Sequence, residues 1–171
     1  MTVKTDKPSQ LRVLVTAGAS GIGRVIAESF AQTGARLHIC DIADAALGEA
    51  KKTHPTWGVS RCDVSQSDQV ARLFEEVGNN LGGLDVLINN AGIAGPTGGV
   101  EEITADDWRR TVDINLNGQF YCANRAVPLL KQSPNASIIC ISSVAGRLGY
   151  AYRTPYAATK WAIIGLTKSL A

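Results

Sequence analysis

Tyr156 and Lys160 stand four residues apart in "PYAATKWAIIGLTKSLA", so on a helix the phenol and the ammonium share one face. An unperturbed phenol titrates at about 10, too high for a base near neutral pH. A neighbouring ammonium favours a phenolate, so such a pair can serve as a general acid/base. Ser143 lies 13 residues before Tyr156 and could hydrogen-bond a substrate oxygen from another side. The spacing alone is weak, since roughly a third of chains this long would contain Tyr-x-x-x-Lys by chance. Its value depends on the elements that carry it.

Those elements alternate. Five short apolar runs, "LRVLVT" (11–16), "RLHIC" (36–40), "WGVSRC" (57–62), "LDVLIN" (84–89) and "SIICIS" (137–142), read as strands covered on both faces. Helical patterns occupy 21–33, 43–53, 66–81 and 105–131, and a last one begins near Pro155 and runs to Ala171. Asp63 and Ser65 read as start signals for the third helix, and Thr104 with Asp107 as a capping box for the fourth. This alternation predicts an α/β fold, a doubly wound parallel sheet of Rossmann-like type. No repeat or linker divides it. The start of the last helix then falls near the carboxyl edge of the sheet, where open α/β sheets bind ligands.

The first strand runs into "TAGASGIGR" (16–24). Gly18, Gly21 and Gly23 fall where a strand turns into a helix whose free N–H groups can meet a pyrophosphate. Ser20 and Ile22 complete that loop. Asp41 ends the second strand, 18 residues beyond Gly23, where a carboxylate can accept from the adenosine ribose hydroxyls. It would repel a 2′-phosphate, and Ser20 and Ile42 offer no cation to hold one, so the expected cofactor is NAD rather than NADP.

Composition narrows the classes further. The chain has 171 residues, 45% hydrophobic and 19% charged, with net charge +2 and no basic cluster, which argues against a nucleic-acid partner. Neither a secretory leader in "MTVKTDKPSQ" nor an apolar membrane span is recognised, so a soluble, cytoplasmic protein is expected. Cys40, Cys62, Cys122 and Cys140 follow neither a metal nor a disulfide spacing, and are expected as reduced, buried thiols.

Taken together, "VLVTAGASGIGR", "CDV", "NNAG", "DINLNGQFY", "ISSVAG" and "YAATK" resemble, in the right order, the short-chain dehydrogenase/reductase family. Among its members the pattern looks most like the 3-oxoacyl-carrier-protein reductase and sugar or polyol dehydrogenase groups. The resemblance implies an NAD(H)-dependent oxidoreductase interconverting a secondary alcohol and a ketone. It implies Tyr156 as catalytic acid/base and Lys160 as the group that favours its ionisation and holds the nicotinamide ribose. Ser143 would orient the substrate oxygen, and Asn115 would position a water in a proton relay through Lys160. Asp63 and Val64 would contact the adenine, and Asn90 and Gly92 would lie against the cofactor. A homo-oligomer, dimer or tetramer, is implied through the helices 105–131 and 156–171, the second carrying Trp161, Ile163, Ile164 and Leu166.

Two departures stand out. Ala17 follows Thr16 where the family usually has glycine, which raises a backbone cost if that position needs φ > 0. Family members also continue into a sixth strand, a substrate loop and a seventh strand, so 1–171 reads as a single NAD-binding domain truncated after the fifth strand and its helix. A fifth strand left as an open edge would be costly, and the working enzyme is expected to be longer. The alternative is a non-catalytic nucleotide-binding or scaffold protein that keeps the fold, inactive because of the truncation. Ala94, Arg147, Leu148, Tyr150 and Arg153 read as loop or interface residues rather than as specificity determinants.

Overall fold

The computed structural model describes residues 10–171; the opening stretch read for a leader falls, over residues 1–9, outside the described residues. The strands are β1 (Arg12–Thr16), β2 (Arg36–Asp41), β3 (Gly58–Arg61), β4 (Val86–Asn89) and β5 (Ser137–Cys140). All pair in parallel, in the order β3-β2-β1-β4-β5. The helices are α1 (Gly21–Gln32), α2 (Asp44–Thr53), α3 (Ser67–Leu81), α4 (Ala105–Val112), α5 (Gly118–Leu130) and α6 (Thr154–Leu170).

The continuously apolar strands are explained by two cores. Val13 and Val15 of β1 point with Ile39 into a cluster that includes Ala27 of α1 and Leu47 of α2. Leu14 between them points the other way, with Leu87, into a cluster that includes Val70, Leu73 and Val77 of α3 and Ala126 of α5. Side chains alternate along a strand, so a run apolar at every position is one with a helix layer on each face. β3 and β5 are the edge strands of the described sheet, and Ile139 of β5 is 42% exposed. Cys40, Cys62 and Cys122 are buried in one core, whereas Cys140 of β5 is half-buried.

The boundaries differ from the sequence reading in instructive ways. The helix expected over 105–131 is interrupted: a π-helical turn, Asp113–Asn117, separates α4 from α5. Such a turn leaves the apolar periodicity intact on either side, and π turns recur at functional sites. Asp63 and Ser65 do not cap α3. Asp63 Oδ1 instead accepts from Ser65 N and Ser65 Oγ at 3.0 and 2.7 Å, a local turn, and Gln66 occupies the cap without a side-chain bond. Thr104 does cap α4, its hydroxyl accepting from Asp107 N at 3.0 Å.

Polar groups fasten the strand ends away from the carboxyl edge. Arg12 grips Asp85 through Nε–Oδ2 at 2.9 Å and Nη2–Oδ1 at 2.7 Å, and Ser133 Oγ donates to Oδ1 at 2.6 Å. The guanidinium holds this carboxyl well below its usual range, so the clamp joining β1, β4 and the approach to β5 stays ionised.

His38 is a second internal polar group, 3% exposed, with its Nε2 2.7 Å from Ser60 Oγ, and Ser60 in turn donates to Glu76. Burial pushes the imidazole down to about 4, Lys51 adding to the effect while Glu76 and Asn80 oppose it. The unfolded chain, with an ordinary histidine at about 6.5, binds the proton first, so stability falls as pH drops through this window. Urea unfolding should lose about 3 kcal/mol from this residue between pH of about 7 and 4, and His38→Leu should flatten that part of the profile. An unchanged slope in the variant would contradict this.

Candidate active site

The carboxyl ends of β1, β4 and β5 meet at the point where the strand order reverses, and the sequence-predicted residues gather there. A cleft of about 660 Å³ opens at the ends of β1, β2, β3 and β4, lined among others by Ser20, Asp41, Asp63, Val64, Gly92 and Ile114, while Asn115, Ser143, Tyr156 and Lys160 are not among its lining residues.

The glycines of the first loop divide their work differently from the sequence reading. A Cβ on Gly23 would lie 2.1 Å from Ala17 O and 2.6 Å from Asn90 Nδ2, so this glycine lets α1 pack onto the loop. A Cβ on Gly18 would meet Ile39 at 2.9 Å, and Gly18 N donates to Cys40 O at 3.0 Å. Both are demanded by close protein packing. Gly21 has φ +52° with open space beside it, so its lack of Cβ serves the turn. Ala17 adopts φ +48°, the left-handed conformation in a residue with a Cβ, at a cost of about 1 kcal/mol. Ser20 sits at the cap of α1 without a side-chain cap bond, which leaves the helix's first N–H groups for an anion, and Ile22 is 68% exposed in the same turn.

Thr16 locks this loop to the next strand end. Its hydroxyl accepts from Asn90 N and Ala91 N, both at 3.0 Å, and Asn90 Nδ2 donates to Thr16 O at 2.9 Å. Asn90 is therefore a fastener between loops, and Ala91, Gly92 and Ile93 after it line the cleft. Asp41 is held by three backbone N–H groups: Ile42 at 2.8 Å and Ala43 at 3.1 Å on Oδ1, and Ala19 at 3.3 Å on Oδ2. Its carboxylate is thus fixed at the cleft wall.

α6 begins with Pro155 in its first turn and carries Tyr156 and Lys160 on one face. Lys160 is 4% exposed, and burial pushes its ammonium below the usual value. Nζ donates to Ile141 O at 2.9 Å and lies 5.5 Å from the centroid of the Tyr156 ring. A Cβ on Gly92 would come within 3.5 Å of that Nζ and 3.2 Å of Asn115 Oδ1, so only glycine gives this approach freely. Asn115, in the π turn, is fully buried. Its amide accepts from Ile93 N at 2.7 Å and donates to Ile93 O at 2.9 Å and Thr159 Oγ1 at 3.2 Å. Ser143 is half-buried, its hydroxyl accepting from Ala145 N at 3.2 Å. Ser142 donates to Lys160 O at 2.7 Å, which fixes the Ser143 loop against α6.

Tyr156, Lys160, Asn115 and Gly92 are thus brought together by α6, the π turn and the β4 loop. Of these only Gly92 lines the cleft, together with Asp41, Asp63 and Val64. Sequence reasoning missed Thr16, Ser142 and Thr159, whose hydroxyls hold the loops in register. Thr159 offered one signal, a polar residue beside Lys160 on a largely apolar helix. Arg109 and Arg110 of α4 also line the cleft, and Arg109 pairs with Asp106 at 2.6 Å. Among the described residues there is no helix long and apolar enough to cross a membrane.

Comparison with known proteins places this geometry. The chain is 39% identical over 163 residues to the 3beta-hydroxysteroid dehydrogenase of Mediterraneibacter gnavus, covering 93% of this chain and 59% of that one. It is 37% identical over 157 residues to the 2-dehydro-3-deoxy-L-rhamnonate dehydrogenase (NAD(+)) of a Sphingomonas species, covering 92% of this chain and 63% of that one. The ligand-free structure of Thermoplasma acidophilum aldohexose dehydrogenase superimposes with a TM-score of 0.86 at 38% identity, over 95% of this chain and 60% of that one. The chain therefore spans about three fifths of the length of these relatives. The short chain dehydrogenase family model matches residues 11–171, and the chain belongs to that family.

Proposed function

We propose that this chain is one NAD-binding domain of an oxidoreductase that interconverts a secondary alcohol and a ketone. The observation that carries the reading is the buried ammonium of Lys160, set between the Tyr156 ring, Ile141 O and Gly92. An ammonium has three donors, and one is used by Ile141 O. A ribose diol at the cleft end beside Gly92 would satisfy the others, and the uncapped start of α1 and the fixed Asp41 carboxylate suit the pyrophosphate and the adenosine ribose.

Bound there, a nicotinamide ring supplies the hydride donor or acceptor. The protein's own part is the proton. Tyr156 gives its phenolic proton to the carbonyl oxygen in reduction and takes it from the hydroxyl in oxidation, while Lys160 stabilises the negative charge that gathers on the phenol oxygen. Ser143 donates to the same substrate oxygen and fixes its direction. The amide of Asn115 is committed to Ile93 and Thr159, so a relay water beside Lys160 would be held through its backbone carbonyl. Asp63 and Val64 are assigned to the adenine.

NAD is preferred over NADP because Asp41 would face a 2′-phosphate as a fixed negative charge. The Sphingomonas relative, named for NAD(+), supports this. Arg109 and Arg110 are the cations that could oppose it, and the first is engaged by Asp106. A dimer or tetramer is assigned through α4, α5 and α6, which expose Trp108 (41%), Phe120 (50%) and Trp161 (52%). Ile163, counted toward that surface from the sequence, is fully buried and belongs to the core.

Tyr156→Phe should lower turnover by more than about 100-fold and leave NADH affinity nearly unchanged, because only the transferable proton is lost. Lys160→Ala should weaken both. Retention of more than about a hundredth of the rate in the phenylalanine variant would remove Tyr156 from the acid/base role. In fluorescence titrations NADH should bind more tightly than NADPH, and Asp41→Ala should narrow the gap. Equal or tighter NADPH binding by the unaltered protein would overturn the NAD assignment.

A further inference from the structure

The cleft that holds Asp41 has two walls at its β3 end. One is the segment that follows β3, Cys62–Gln66. The other belongs to α4 and the π turn, with Asp106, Arg109, Arg110, Asp113 and Ile114. The walls converge at their base, where a Cβ on Gly118 would lie 2.8 Å from Val64 Cγ2 and 3.1 Å from Val64 O. The cleft therefore narrows toward Val64, and it is apolar there, with Val64 from one wall and Ile114 from the other.

Most charged groups of the α4 wall already have partners. Arg109 Nη1 donates to Asp106 Oδ1 at 2.6 Å, and Asp113 Oδ1 accepts from Asn117 Nδ2 at 2.8 Å. Arg110 forms no ion pair among the described residues. Complementing a helix terminus does not account for it either. α4 runs on through the π turn, and Asp113 N donates to Arg109 O and Arg110 O, so the carbonyls there are paired. Arg110 stands four residues before Ile114 and on its side of the helix, while Thr111 turns inward and is fully buried. Helical side chains lean toward the N-terminus, so Ile114 covers the surface beside Arg110 and the two adjoin at the apolar part of the cleft. A guanidinium is flat and more weakly hydrated than an ammonium, and it stacks on the face of a planar ring.

We propose that Arg110 binds the adenine of the dinucleotide, its guanidinium plane stacking on one face of the purine while Val64 and Ile114 supply the apolar floor. The inference rests on the dinucleotide reading of this cleft, with Asp63 and Val64 at the adenine. No bond changes and no proton moves. The contribution is affinity alone, and it falls on the adenosine half of NAD. Such a contact depends on the plane of the group as well as on its charge.

The test is titration with NADH, followed by its fluorescence, and with ADP-ribose, followed by calorimetry. Arg110→Ala should weaken NADH by about 5-fold or more, and ADP-ribose, which keeps the adenosine half and lacks the nicotinamide, by the same factor. Arg110→Lys, which keeps the charge without the plane, should recover only a small part of that loss. Arg109→Ala, which removes an exposed ion pair, should bind both ligands within about 2-fold of the unaltered protein. Arg110 is exposed, so its variants should melt with the unaltered protein. Affinity unchanged in Arg110→Ala, or fully restored in Arg110→Lys, overturns the assignment of Arg110 and leaves the dinucleotide reading standing. An unaltered protein that binds neither NADH nor ADP-ribose removes that reading and the assignment with it.

Discussion

An ammonium removed from water governs the arrangement of this molecule's carboxyl edge. Lys160 is 4% exposed and pairs with no carboxylate among the described residues, its one protein partner being the carbonyl of Ile141. Burying a cation on such terms is unfavourable unless further acceptors reach it. Every neighbouring element is fitted to that demand. Gly92 gives the room, the π turn brings Asn115 alongside, and Ser142 ties the β5 loop to the backbone of Lys160 itself. Under the proposed reading, a bound ribose would supply the acceptors that the protein around this lysine does not.

A second constraint runs through Thr16. One hydroxyl accepts from two successive N–H groups of the β4 loop and donates to Ile88 O at 3.3 Å, so the β1 and β4 loops move as one piece. Gly23 closes the same joint from the α1 side, where any side chain would strike Ala17 O. The strain of Ala17 at φ +48° is tolerated because these contacts over-determine the loop. Asp41 on the cleft wall is therefore held at a fixed distance from Gly92 of the β4 loop. That rigidity is what a long, two-ended ligand requires.

Much of this was legible in the residues. The alternation of apolar runs and helical patterns predicted the parallel sheet, because a strand apolar at every position needs cover on both faces. The Ala17 departure was visible as a missing glycine, and the condition attached to it, a positive φ, is met at +48°. Other features were not legible. The π turn at Asp113–Asn117 leaves the hydrophobic pattern on either side unchanged, so 105–131 read as one helix. Asp63 and Ser65 bear the residue types of a helix cap but spend them on each other in a turn. Arg153 carried no periodic signal and read as a loop residue, since only the fold of the Leu148–Arg153 segment sets it over the Tyr156 ring. Ile163 looked like surplus surface because the depth of α6 in the molecule is a tertiary property.

The most direct test of the arrangement is a crystal structure of the protein grown with NADH. The hydroxyls of the nicotinamide ribose should lie within about 3 Å of Lys160 Nζ, with the nicotinamide face turned toward Tyr156 and the adenosine ribose on Asp41. A dinucleotide bound elsewhere, or bound in this cleft with Lys160 Nζ untouched by it, would contradict the central role given to the buried ammonium.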